Sequence, residues 1–142
     1  MKYRITEEDE RIVHEFVERN YRNHYNKNRT IEELKSNIRQ GKLGEIAYKI
    51  YAGDSINEID WSEFVQMDGL DFTSSDGKGI QVKTIGPNVQ WVTFYNWKWD
   101  RIAVLRIFND TITLIGEWDK EDIKRISRKS KRSGWYFNPD SL

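Results

Sequence analysis

The sequence predicts a mixed α/β (α+β) domain, with N-terminal helices followed by a mixed, mostly antiparallel sheet and a C-terminal helix. Three observations carry this expectation. Apolar residues recur at helical spacing as far as Tyr51, the period falls to two from Phe64 onward, and a helical pattern returns after Asp119. All 142 residues read as one domain, with a helical region at about 6–52 and a sheet-plus-helix region at about 62–132.

The first helix rests on Ile12, Val13, Phe16, Val17 and Tyr21, with acids crowding Glu7 to Glu10 as the helix dipole favours. Asn23, Asn26 and Asn28 break the pattern. Thr30 followed by Glu33 is a capping box that starts a second helix. Gly41 and Gly44 interrupt or tighten it, Leu43, Ile46, Ala47 and Ile50 give it an apolar face, and Gly53 is its stop. Leu70 and Phe72 alternate with Asp71 and Thr73, Ser74 to Gly79 is a run of turn residues, and Ile80 to Ile85 is the next strand. Val89 to Tyr95 reads as a third strand. Ile102–Phe108 and Thr111–Glu117 form a hairpin about Asn109-Asp110. The final helix runs from Asp119 to about Ser130, and Trp135 to Phe137 is an aromatic patch.

Composition excludes several chemistries. There is no cysteine, so disulfides, cysteine zinc sites and thiol nucleophiles are out. The histidines, His14 and His24, lie in the helical region without a zinc-site pattern and read as ordinary surface or half-buried imidazoles. Phosphate-loop, dinucleotide-fold and serine-hydrolase motifs are missing. Lys+Arg and Asp+Glu both number 23, so no global charge announces a partner. The longest apolar run is Ile102–Leu105, too short to span a membrane, and the start of the chain has no apolar leader. A soluble cytoplasmic protein without membrane partners is the expectation.

The chemistry-bearing stretch runs from Met67 to Thr84. In a strand, Gln81 and Lys83 share one face while Ile80 and Val82 take the other. Opposing Asp71 to Lys83 also opposes Thr73 to Gln81, gathers all four polar groups on one face, and requires an odd loop such as Asp76-Gly77-Lys78. The same parity puts Asp68, a competing ligand, on the Leu70/Phe72 face. A carboxylate, an amide oxygen and an ammonium gathered this way can hold a hard divalent cation and a phosphate oxygen together.

An Asp followed ten residues later by Gln-x-Lys on the next strand resembles the PD-(D/E)xK nuclease superfamily, whose core is restriction-endonuclease-like. The segment Gly41-Lys-Leu-Gly-Glu-Ile-Ala47 is similar to that superfamily's G-x-x-x-E helix, and the order of later strands is similar to that of small phage and restriction-type members. Residues 38–130 carry the likeness. It implies a Mg²⁺-dependent endodeoxyribonuclease, with Mn²⁺ able to substitute, in a bacterial, archaeal or phage-infected cell. Glu45, Asp71 and Gln81 would be the metal ligands and Lys83 the catalytic lysine. A homodimer is implied too, because cutting two strands calls for two symmetric sites. Two departures stand out. Gly69-Leu70 replaces the name-giving proline, and Gln81 replaces an acid, supplying a ligand oxygen without charge. Some members that cleave methylated DNA resemble this Q-x-K form.

Lys124, Arg125, Arg128, Lys129, Lys131 and Arg132 supply six basic residues in nine, a candidate DNA contact that Arg22, Lys27 and Arg29 extend. Trp91 and Trp118 read as core rings, whereas Trp97, Trp99 and Trp135-Tyr136-Phe137 suit either core packing or stacking on bases. The bland alternatives are a Glu45–Lys49 helix pair and an Asp71–Lys83 cross-strand pair. The alternative functions are a non-catalytic nucleic-acid-binding module with a weakened metal site, and a protein-interaction or inhibitor domain.

Overall fold

The computed structural model describes residues 1–68 and 72–142. A short strand β1 (Lys2–Arg4) precedes helices α1 (Glu7–Asn20) and α2 (Ile31–Ala52). The four-residue α3 (Trp61–Phe64), β2 (Phe72–Thr73), β3 (Gly79–Ile85), β4 (Val92–Phe94), β5 (Arg101–Phe108) and β6 (Thr111–Asp119) follow. Last come α4 (Lys120–Ile126), β7 (Arg128–Lys129) and β8 (Trp135–Phe137).

Five strands form the main sheet in the order β1-β6-β5-β3-β2, in which the β3–β5 pair is parallel and the other pairs antiparallel. A second sheet, β4-β8-β7, lies on its far side. Strand β5 is covered on both faces, which explains its unbroken apolar run. Ala103, Leu105 and Ile107 pack with α1 and α2 residues such as Val13, Leu43 and Ala47. Ile102 and Val104 pack with Phe94, Trp99, Ile123 and Phe137. The hairpin loop at Asn109-Asp110 is as expected, with Phe108 opposite Thr111 and Asn109 at φ 54°.

Both helices open with a capping box, Thr6–Asp9 in α1 and the expected Thr30–Glu33 in α2. Helix α2 runs unbroken through Gly41 and Gly44, so neither glycine interrupts it. Gly44 is instead a point of contact. A Cβ there would come 1.7 Å from Thr84 Oγ1 and 2.9 Å from Thr84 Cβ, so the helix backbone lies directly on β3. The Gln40 side-chain amide donates to the Thr84 carbonyl at 2.9 Å and closes the same seam.

Several expectations are corrected. Phe64 ends a helical turn rather than starting a strand, because the Asp60 side chain caps the N–H groups of Ser62 and Glu63. The third strand is limited to β4. The final helix stops at Ile126, and Arg128 and Lys129 enter β7, which pairs with β8. The aromatic patch is therefore a central strand of the second sheet. The β2–β3 register is shifted by two residues, so that Thr73 faces Gly79 rather than Gln81. The cause is the turn. Ser74 N–H donates to the Lys78 carbonyl at 2.8 Å and Gly77, at φ 89°, donates to the Ser74 carbonyl at 2.9 Å, so the three-residue loop is Ser75-Asp76-Gly77. The Ser74 hydroxyl fixes it by donating to the Asp76 carboxylate and accepting from Lys78 N–H. The loop remains odd, and Thr73 keeps the face of Gln81 and Lys83.

Gly44→Ala is expected to lower unfolding free energy by about 1–3 kcal/mol through overpacking against β3. Thr84→Ala in the same chain should recover part of the loss, because Cβ–Cβ crowding persists. Urea denaturation of the two single variants and the double variant measures both effects, and additive losses would contradict the contact.

Candidate functional site

Helix α2 and strand β3 meet along the Gly44–Thr84 seam, which brings side chains some 40 positions apart in sequence into one depression. Its volume is about 280 Å³, and its lining includes Glu45, Gln81, Lys83, Lys42, Asp68 and His24. Strand β2 pairs with β3 at Gly79 and Ile80, and beyond that point β3 borders this cavity. Three of the four residues singled out in the sequence, Glu45, Gln81 and Lys83, therefore share one cavity. The fourth, Asp71, lies outside the described residues, as do its expected partnership with Lys83 and the placement of Leu70.

Asp68 corrects the strand-parity reading. Residues 65–68 are not strand, so the alternation of faces does not apply, and Asp68 lines the same cavity as Gln81 and Lys83. Its carboxylate lies 2.8 Å from His24 Nε2, across from the end of the 3₁₀ turn that follows α1. The sequence reading set His24 aside. No local pattern points to a pairing between residues so far apart.

Lys42 is the largest omission. Its side chain is 1% exposed, and its ammonium donates to the carbonyls of Phe64 at 2.6 Å and Met67 at 2.9 Å. The rings of Phe16 and Phe64 lie 4.6 and 4.5 Å from the same nitrogen. Glu45 Oε1 is 3.3 Å away, so Glu45 pairs backward with Lys42 rather than forward with Lys49, whose ammonium sits 5.6 Å from the Trp61 ring. Burial pulls the Lys42 pKa down, and Glu45 and Asp68 oppose that shift. Lys42 thus ties the segment leading into Asp68 to the helix that carries Glu45. Its place three residues before Glu45 was the available signal, since two residues so spaced share a helix face.

The cavity offers hard oxygen ligands in two carboxylates (Glu45, Asp68) and two amides (Asn37, Gln81), beside the His24 imidazole and two ammonium groups (Lys42, Lys83) that bring positive charge but no ligand atom. Among the described residues, no group of three or more His, Asp or Glu could hold a metal ion by itself. The cavity continues into neighbouring depressions through Asn37.

The basic cluster is divided. Lys124 and Arg125 lie on α4, paired with Glu121 at 3.3 Å and Asp122 at 3.7 Å, and α4 packs on the sheet face away from α1 and α2. Arg128 and Lys129 are exposed on β7, with Lys129 3.9 Å from the Trp135 ring centre. Lys131 and Arg132 fall in the β7–β8 turn, and Arg132 lines a depression that reaches Asn37. Trp99 is buried, and Trp97, Trp118 and Trp135 pack partly around that second core. Trp91, expected in the core, is 49% exposed and meets Tyr136 edge-on.

Comparison with protein-family models and with curated proteins returns no match. Among the described residues, no helix is long and apolar enough to cross a membrane.

Lys42→Met is expected to cost about 1–3 kcal/mol at neutral pH, because two carbonyls lose their donor. The pH dependence has a definite sign. With its folded pKa below the unfolded value of 10.5, Lys42 binds fewer protons folded than unfolded, so its contribution to stability rises with pH between the two. The stability difference between wild type and Lys42→Met should widen over that window. Urea titrations at stepped pH would show a constant difference if this account is wrong.

Proposed function

We propose that the protein is a Mg²⁺-dependent endodeoxyribonuclease of PD-(D/E)xK type, hydrolysing DNA phosphodiester bonds at the cavity between α2 and β3. The observation that carries this reading is the convergence of Glu45, from the helix, with Gln81 and Lys83, from the strand, on one small polar depression. The donor set suits a hard cation. Mg²⁺ is commonly held by one or two carboxylates, with waters and substrate phosphates completing its shell. Glu45 supplies one carboxylate, Gln81 an uncharged oxygen, and Asp71 is assigned the second carboxylate on the strength of the motif alone.

When bound, the cation lowers the pKa of a water and polarises the scissile phosphoryl group. The remaining work falls to the chain. Lys83 orients the attacking water and offsets charge that grows on the phosphoryl oxygens. Lys42, buried beside Glu45, fixes that carboxylate's position and leaves it less free to turn toward solvent. Asp68, held to His24, adds negative charge at the rim and helps retain a cation.

Supercoiled plasmid incubated with Mg²⁺ or Mn²⁺ should be nicked or linearised by wild type and left intact in chelator. Lys83→Ala should slow cleavage by roughly 10²–10³-fold, the usual cost of losing a donor to transition-state charge. DNA binding that persists in chelator, without metal-dependent cleavage of plasmid, branched or single-stranded DNA, would instead support a non-catalytic binding module.

A further inference from the structure

Beyond the cavity, a trough runs past Asn37 to a second group of side chains. Arg29, from the turn before α2, and Arg132, from the β7–β8 turn, line one depression of about 630 Å³ together with Tyr95 and Asn26. A smaller depression containing His24, Asn37, Arg29 and Tyr95 joins it to the cavity of Glu45 and Lys83. Neither arginine forms an ion pair with a described residue, and both are exposed. Tyr95 is 67% exposed. The one acid in the trough, Glu33, is engaged in the α2 cap, accepting from Thr30 N–H at 3.3 Å.

We infer that this trough holds an unpaired DNA strand and delivers it to the cavity, so that the substrate is single-stranded or branched DNA; this rests on the nuclease reading above. Two considerations favour an unpaired strand over a duplex. Duplex binding draws chiefly on phosphate neutralisation, typically with six to ten contacts, whereas this trough offers two guanidinium groups on a chain of zero net charge. The exposed Tyr95 ring, lining the same depression, has no use for a stacked, paired base, but it offers a π-face to a base that has left its helix. The Asn37 amide can donate to and accept from Watson–Crick edges, which only an unpaired strand presents, and the Asn26 NH₂ can donate to them while its oxygen accepts from Asn28 N–H at 2.8 Å. The spacing of functions is ordered: stacking and phosphate contact at Tyr95, Arg29 and Arg132, then hydrolysis at Glu45 and Lys83.

The test uses the full chain in chelator, so that binding is read apart from cleavage. Fluorescence anisotropy would compare a labelled 20-nucleotide single strand, the matching duplex, and that duplex with a single-stranded flap. The single strand and the flap should bind at least about tenfold more tightly than the duplex. Tyr95→Ala should weaken single-strand binding by about 5- to 150-fold without changing its salt slope, and Tyr95→Phe should preserve it. Arg29→Ala combined with Arg132→Ala should flatten the log–log salt slope by about 1.4, from about 0.7 per phosphate released. Equal or tighter duplex binding, or single-strand binding indifferent to both sets of variants, would overturn the inference. These outcomes separate from those of the nuclease reading. Loss of metal-dependent cleavage in Lys83→Ala tests the nuclease reading, whereas the Tyr95 and Arg29/Arg132 variants, read in chelator, test the trough. Metal-dependent duplex cleavage without single-strand preference defeats the trough alone, and single-strand preference without cleavage of any substrate defeats the nuclease alone.

Discussion

The closeness of α2 to β3 at Gly44 and Thr84 governs the rest of the molecule. A helix usually stands off a sheet by the thickness of two side-chain layers. Here one layer is missing, because Gly44 offers no side chain and Thr84 fills its place. The hydroxyl of Thr84 is buried without a hydrogen-bond partner among the described residues, a cost accepted for the close approach. One residue on from Gly44, Glu45 is thereby brought to the same depression as Gln81 and Lys83. A wider gap would carry the helix carboxylate away from the depression that Gln81 and Lys83 line.

The sheet supports this seam from behind. Strand β5, adjacent to β3 and parallel to it, is enclosed on both faces, by the helices on one side and by an aromatic cluster on the other. That cluster, with Phe94, Trp97, Trp99 and Trp135 in mutual ring contact, does the work of the crossover helix that usually covers the second face of a parallel pair. The high aromatic content is thus mostly structural. Tyr95, next to Phe94 on the chain but past the end of β4, stays out of it and is exposed.

Much of this was legible in the sequence because it depends on local rules. The Thr30–Glu33 box, the end of α2 before Gly53, the β5–β6 hairpin and the shared face of Gln81 and Lys83 follow from capping, turn chemistry and a period of two. What was not legible depends on distant partners or on a choice between near-equal turns. Asp76-Gly77-Lys78 and Ser75-Asp76-Gly77 are both odd loops. The Ser74 hydroxyl, bonded to Asp76 and Lys78, selects the second and moves the register by two. Parity misplaced Asp68 because it was applied past the end of the strand. The burial of Lys42 depends on Phe16, Phe64 and two carbonyls more than twenty positions away, which no local pattern announces. The basic run looked continuous, yet α4, β7 and the following turn send its members in different directions.

The parallel pairing of β3 with β5 also sets an order of assembly. Strands β5 and β6 meet across a two-residue turn and can zip together early. Joining β3 to β5 requires residues 86–100 to leave the sheet, build β4 and return, which closes a longer loop at greater entropic cost. The strand carrying Gln81 and Lys83 is therefore a late arrival on a scaffold already formed. During synthesis, the chain passes through a stage at which helices and hairpin exist but the polar depression does not. Whatever this depression binds or cleaves, it does so only once β5 is in place to receive β3.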